Sequence, residues 1–191
     1  MSDETMITNC SPTLAALKTG NLFGSHFNNK VEMLECVSNY NAKLVPKGVR
    51  MIPMKYENGR ALLYVYRPDR LAADLKNVKA RKILKRNSYP YNNADKCVLE
   101  LINRLANQEA FPHEIGLFLG YPPEDVEGFI KYGAKNAKFV GTWKVYGDVS
   151  KAKKKFLLYQ KCTGAYRTAY NNHKSFDRLI VSLNNNKKEG N

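Results

Sequence analysis

Long apolar runs are missing from this chain of 191 residues. None approaches the roughly 20 residues that cross a bilayer as a helix. The first residues, MSDETMITN, carry acids where a secretory leader needs a basic start and an apolar core. Together these absences predict a cytoplasmic protein with no membrane insertion. Cysteine is sparse: Cys10, Cys36, Cys97 and Cys162 are widely scattered and form no CxxC pair, which excludes a disulfide framework and a zinc ribbon and leaves reduced thiols. Histidine occurs at positions 26, 113 and 173 alone, with no HExxH motif, so a zinc protease of that type is excluded. Acids are scarce too, 17 against 31 lysines and arginines, and the resulting charge of +14 attracts polyanions of any kind without specifying a sequence to read.

Hydrophobic residues make up 43% of the chain and charged residues 25%, which puts it among ordinary globular proteins. No internal repeat or low-complexity linker divides it. The length suits one globular domain over residues 1–183, followed by a flexible polar tail, NNNKKEGN, over 184–191. The expected class is α/β in the α+β sense: a mostly helical domain with a small sheet of about three strands, one β-hairpin among them.

The elements are read from punctuation and periodicity. Ser11-Pro12 has the cap and first-turn proline of a short helix ending near Gly20. Met33, Cys36, Val37, Tyr40 and Leu44 make one face of a helix from about Asn29. Asn58-Gly59 between two apolar runs signals a hairpin, with Pro53 restricted to an edge or bulge. Helical stretches follow at 71–76, 79–86 and 94–106. Pro112 and Pro122-Pro123 open two more helices, through Leu119 and about Lys131. FVGTWKVY, 139–146, alternates as the third strand, and a long helix runs from Val149 to Tyr170 with Ala152, Phe156, Tyr159, Tyr166 and Tyr170 facing inward.

Several residues carry chemistry or merely pack. Cys10, placed just before the Ser11-Pro12 helix start, would be favoured there as a thiolate, with Thr13 and Lys18 beside it; the alternative is a small buried residue. His113 and Glu114, in the first turn of their helix, offer a general base or metal ligand on one reading and a cap and dipole partner on the other. Cys162, flanked by Leu158, Ala165 and Ala169, reads as buried or as a third contributor to a site with Cys10, His113 and Arg67. Such a scattered set fits iron, zinc, haem, a small organic ligand or nothing, so no cofactor is specified. No pattern specifies an oligomeric state.

Six basic residues and no acid lie between Lys76 and Arg86, and nine lysines face the single acid Asp148 between Lys131 and Lys161. Lys79, Arg81, Lys82, Arg86, Lys144, Lys153 and Lys154 are the candidate nucleic-acid contacts, with Tyr132, Trp143, Tyr146 and Tyr159 as stacking platforms or, alternatively, as core. A DNA-reading helix-turn-helix is disfavoured, because the second helix opens with Glu124, Asp125 and Glu127, which phosphates repel.

Asn9-Cys10-Ser11-Pro12-Thr13-Leu14-Ala15 with Lys18-Thr19-Gly20-Asn21-Leu22-Phe23, Tyr66-Arg67-Pro68, Phe111-Pro112-His113-Glu114-Ile115-Gly116 with Gly120-Tyr121-Pro122, and Trp143-Lys144-Val145-Tyr146-Gly147-Asp148 with Lys161-Cys162-Thr163 are motifs in common with a known family. In these, from about Asn9 to Val181, the chain resembles the bacterial domain-of-unknown-function family thirty-seven ninety-three. The resemblance implies no catalytic residues. Through the ferrous-iron transport and flavodoxin-like genes near some members, it implies a link to iron or redox physiology. The expected function is thus a small-ligand- or metal-responsive accessory of iron or redox metabolism, with a thiol and histidine site. The alternative is a sequence-tolerant nucleic-acid binder.

Overall fold

A computed structural model describes residues 1–107 and 110–183; the expected tail at 184–191 lies outside the described residues. In chain order the elements are α1 (Asp3–Leu14), β1 (Gly20–His26), α2 (Lys30–Leu44), β2 (Arg50–Glu57), β3 (Arg60–Tyr66), α3 (Pro68–Asp74), α4 (Val78–Arg86), α5 (Ala94–Asn107), α6 (Ile115–Phe118), α7 (Pro123–Tyr132), β4 (Phe139–Val140), β5 (Lys144–Val145) and α8 (Val149–Asn171), with short 3-10 turns at Val45–Lys47 and Phe176–Leu179. Helices dominate and the main sheet has three antiparallel strands, as expected. Packing gathers the described residues into two units, one from 1–69 with 161–183 and one from 70–160.

The first unit holds the sheet, in the order β1-β3-β2. The hairpin is two-residue: Glu57 pairs Arg60, and Asn58 (φ 49°) and Gly59 (φ 76°) take the left-handed conformations of a type I′ turn, which Asn-Gly adopts with least strain. The ladder of β2 slips between Pro53 and Lys55, so the proline does sit at a bulge on an edge strand. Against one sheet face pack Met6, Ile7, Cys10 and Leu14 of α1 and Met33, Val37, Tyr40 and Leu44 of α2, forming one core with Phe23, Leu63 and Val65. Each fully buried side chain of this size contributes about 1.5–3 kcal/mol. The start of α2 is fixed by Asn29, whose Oδ1 accepts from the Glu32 amide at 2.9 Å, while the Glu32 carboxylate accepts from the Asn28 amide at 2.9 Å.

Three expectations need correction in this unit. Ser11-Pro12 does not start a helix. The start is Ser2, whose hydroxyl accepts from the Thr5 amide, with Asp3 and Glu4 in the first turn, so Cys10, Ser11 and Pro12 occupy the C-terminal end of α1. Ser11 turns its hydroxyl back to the Ile7 carbonyl instead of capping. The third strand of the sheet is β1, whose Gly-Asn-Ser-rich sequence has little strand propensity but pairs β3 in register from Gly20–Tyr66 to His26–Arg60. Finally, Leu158 and Ala165, the neighbours expected to bury Cys162, are exposed, and Cys162 itself is half-buried.

The second unit is helical apart from β4 and β5, two residues each, which pair Phe139 with Val145 and Val140 with Lys144. FVGTWKVY is therefore a tight hairpin, not one strand, because Gly141 and Thr142 turn the chain where the alternation predicted continuity. Gly141 has to be glycine: a Cβ there would lie 2.3 Å from Phe156. The helix expected from Pro112 shrinks to the four residues of α6, and His113 lies in the turn before it. α4 is capped by Asn77, which accepts from the Lys79 and Ala80 amides, and turns Ala80, Ile83 and Leu84 inward. No described helix is long and apolar enough to cross a membrane.

Candidate functional site

A cavity of about 420 Å³ opens in the second unit between α6, α7 and the β4–β5 hairpin. Its walls are aromatic and aliphatic: Tyr121, Phe129, Trp143, Ile115 and Val126, with Phe111 half exposed at the mouth. Three ionisable side chains join them, His113, Lys144 and Asp125. The His113 ring meets Phe129 edge-on at 4.8 Å, and the Lys144 ammonium stands 5.3 Å from the centre of the same ring. Tyr121 stacks on Trp143 at 4.7 Å, and Phe156 supports Trp143 edge-on from behind at 4.4 Å. These contacts hold the rings in place before any ligand arrives, which lowers the ordering cost of binding.

Asp125 positions this wall. It is 3% exposed; its Oδ2 accepts from Trp143 Nε1 at 2.7 Å and its Oδ1 from the Tyr146 and Gly147 amides, both at 2.8 Å. The carboxylate thus clasps the hairpin to the first turn of α7, and its charge is taken up by three donors, the wall residue Trp143 and the Tyr146 and Gly147 amides. Close packing completes the clasp: Gly116 approaches Val126, Gly128 lies under the Tyr146 ring, and Gly147 lies against Glu124, all closer than a Cβ would allow. The Tyr146 hydroxyl closes onto the Gly133 carbonyl. Sequence reasoning read Asp125 only as a helix-dipole acid and missed this role. The signal was present, since its motif partner Trp143 carries a donor that needs an acceptor when buried.

The expected thiol and histidine site divides between the two units. Cys10, Thr13, Lys18, Arg67 and Cys162 belong to the first, His113 and Glu114 to the second. Cys10 is fully buried, and burial pushes its thiol far above the ordinary value, against the opposing charge of Lys18. At the C-terminal end of α1, with the dipole reversed, it is no activated thiolate. Lys18 in turn is pushed down to about 8 by burial, with Cys10 opposing. Arg67, 1% exposed, is a structural knot. Its Nε donates to the Thr13 carbonyl at 2.8 Å, Nη2 to those of Leu14 at 2.8 Å and Val181 at 2.7 Å, and Nη1 to that of Lys47 at 3.3 Å. Thr13 also donates its hydroxyl to Asn21 Oδ1 at 2.7 Å. Cys162 is raised by burial, and Tyr166 one turn on is pushed up to about 12 by its own burial and then by Cys162.

Glu114 is a buried ion-pair member rather than a cavity group. Arg104 reaches it through Nη1 at 3.4 Å, binds Glu100 through Nε at 2.8 Å and covers the Tyr89 ring at 4.3 Å. Burial, then the charge of Glu114, pushes the Tyr89 phenol well up. Arg104 was not singled out in the sequence; its i–4 glutamate was the available sign. Among the described residues, no group of three His, Cys, Asp or Glu side chains is placed to hold a metal ion.

Of the candidate nucleic-acid contacts, Lys79, Arg81, Lys82, Arg86, Lys153 and Lys154 are exposed and Lys144 is half-buried. Arg86 is paired with Glu127, and Lys153 lies 4.6 Å over the Phe139 ring. Of the four aromatics read as stacking platforms or as core, Trp143 and Tyr159 are buried, in line with the core alternative, and Tyr132 is 41% exposed.

Comparison with known proteins agrees with the motifs. No curated protein and no solved structure matches the chain. A family model described as "Protein of unknown function (DUF3793)" matches residues 6–180, which is nearly the whole chain. The matched range includes Arg67 and the clasp of Asp125 on Trp143, and the chain belongs to this family.

Proposed function

We propose that the chain is a cytoplasmic binding protein for a small, flat, largely apolar ligand with an anionic group, held in the aromatic cavity of the second unit. What supports this is the single arrangement of Trp143 and Phe129 as pre-positioned walls with Lys144 and His113 at their edge. A flat ring fits the aromatic surfaces, and an acidic substituent meets the Lys144 ammonium without an opposing free carboxylate. In this form the reading keeps the ligand-responsive part of an accessory of iron or redox metabolism and moves its site from the thiols to the cavity.

Trp143 is the sole tryptophan, so its emission reports directly on occupancy. Anilinonaphthalene sulfonate, flat and anionic, is a suitable probe. It should bind saturably with quenching of Trp143 emission, and Phe129→Ala and Lys144→Glu should each weaken binding by about tenfold, equivalent to roughly 1.4 kcal/mol. Absence of saturable quenching, or wild-type affinity in both variants, would overturn the reading.

A second reading rests on α4. Lys79, Arg81 and Lys82 are exposed, and none of them is ion-paired. A sequence-tolerant nucleic-acid contact on this helix predicts that a labelled oligothymidylate binds at low salt. Its affinity should fall with a log–log slope of about −0.7 per neutralised phosphate, and Lys79→Ala with Lys82→Ala should flatten that slope. An unchanged anisotropy at low salt would remove it.

A further inference from the structure

The two edges of the main sheet are built differently. Edge strand β2 carries Pro53, a bulge and Lys55, devices that discourage pairing with another strand. Edge strand β1, GNLFGSH, has no proline, bulge, lysine or acid, and runs seven residues in unbroken register with β3. In an antiparallel pair, alternate residues turn both backbone groups toward the partner. Two bonds fix the parity: the Phe27 amide donates to the Gly59 carbonyl and the Arg67 amide to the Thr19 carbonyl, both at 2.9 Å. With the register, this directs the backbone groups of Asn21, Phe23 and Ser25 to β3. Those of Leu22, Gly24 and His26 point away from the sheet. Gly24 and His26 are exposed and Leu22 is half-exposed, and among the described residues none of the three outward backbones has a hydrogen-bond partner.

Gly24 lies at the centre of this open stretch. A Cβ there would meet nothing closer than the Ala61 carbonyl at 4.0 Å, and its φ is not left-handed, so neither packing nor strain within the chain explains a glycine. A glycine inside a strand without such a reason marks a place where another backbone comes close. The stretch is also self-complementary: antiparallel pairing about a two-fold axis at Gly24 sets Gly24 against Gly24 and Leu22 against His26 twice over. All three pairs are then of the hydrogen-bonded kind.

We infer that β1 is a self-association edge, where a second copy of this chain pairs antiparallel through Leu22–His26 to make a continuous six-stranded sheet. This lies in the first unit and is independent of the ligand cavity. The strand contributes no lysine, arginine or acid to the contact, so the net positive charge of the chain opposes association only from a distance, and salt should strengthen the dimer.

The test is sedimentation equilibrium of the whole chain over micromolar concentrations, combined with residue-resolved amide exchange. The expected species has twice the 21.7 kDa chain mass. The outward amides of Leu22, Gly24 and His26 should gain protection with concentration, while those of Asn21, Phe23 and Ser25 stay protected throughout. Gly24→Pro removes an outward donor and no donor of the β3 ladder, and should shift the chain to monomer. Gly24→Lys, which keeps the amide but opposes two ammonium groups at the axis, should do the same if the proline variant folds poorly. A monomeric wild type at all concentrations, or a dimer that survives Gly24→Lys with circular dichroism unchanged, would overturn the inference.

Discussion

Replacing Arg67 by methionine should lower the unfolding free energy by about 3–5 kcal/mol, the largest loss expected from any single side chain of the first unit. Methionine fills a similar volume and relieves the burial of a charge, so volume is not the issue. The loss comes from the four bonds that the guanidinium makes from one point to the backbone carbonyls of Thr13, Leu14, Lys47 and Val181; the first two keep one other donor, the Ala16 and Val181 amides, and the other partners are lost together. Two of these are among the terminal carbonyls of α1, which have no partner within the helix and face the negative end of its dipole. A buried ion pair can be exchanged for apolar groups when both partners change, but a carbonyl cannot be mutated away. Arg67→Lys keeps the charge yet cannot fork toward carbonyls from three segments, so it should recover less than half of the loss. Urea denaturation followed by far-ultraviolet circular dichroism measures both. A change under about 1 kcal/mol for Arg67→Met would show that water takes over the carbonyls, and the knot would not be what holds these segments together.

The elements legible in the sequence were those whose signals are local. Asn58-Gly59 fixes its turn by backbone preference alone, and the Met33–Leu44 stripe sets the buried face of α2 by period; both hold in the structure. Where the reading failed, a longer-range partner decides. β1 is a strand because β3 offers seven paired positions, not because GNLFGSH prefers to extend. Ser11-Pro12 imitates a helix start, but Ser2-Asp3-Glu4 had already begun the helix, and a hydroxyl late in a helix turns back on its own carbonyls instead. The candidate site shows the same division. Rarity of residue type drew attention to Cys10, His113 and Cys162, but rarity carries no information about place, and the structure assigns Cys10 and Cys162 to one unit and His113 to the other. The residues that shape the cavity, Phe129, Asp125 and Trp143, are of types that a sequence reading assigns to core or dipole. Their role arises from the hairpin's position beside α7, which no spacing in the chain encodes.

Replacing Asp125 by alanine should cost the second unit about 3–5 kcal/mol, because three donors lose their acceptor at once and each orphaned buried donor costs about 1–3 kcal/mol. The substitution should also change the cavity. With Trp143 Nε1 unheld and the Tyr146 and Gly147 amides free, the β4–β5 hairpin is left to the Tyr146–Gly133 bond and the packing of Gly128 on Tyr146 to keep its place beside α7. Trp143 emission should then shift to the red as the ring meets water, and anilinonaphthalene sulfonate should lose its saturable binding even at temperatures where the chain remains folded. Asp125→Asn separates the two contributions. Its amide oxygen can still accept from the Tyr146 and Gly147 amides, but its nitrogen would face the Trp143 donor, so stability should fall by roughly half as much while the tryptophan is released. If Asp125→Ala leaves the denaturation midpoint and the Trp143 emission where they were, the clasp is not what positions the cavity wall. The pocket would then have to be held by the packing of Gly128 against Tyr146 and of Trp143 between Tyr121 and Phe156 alone.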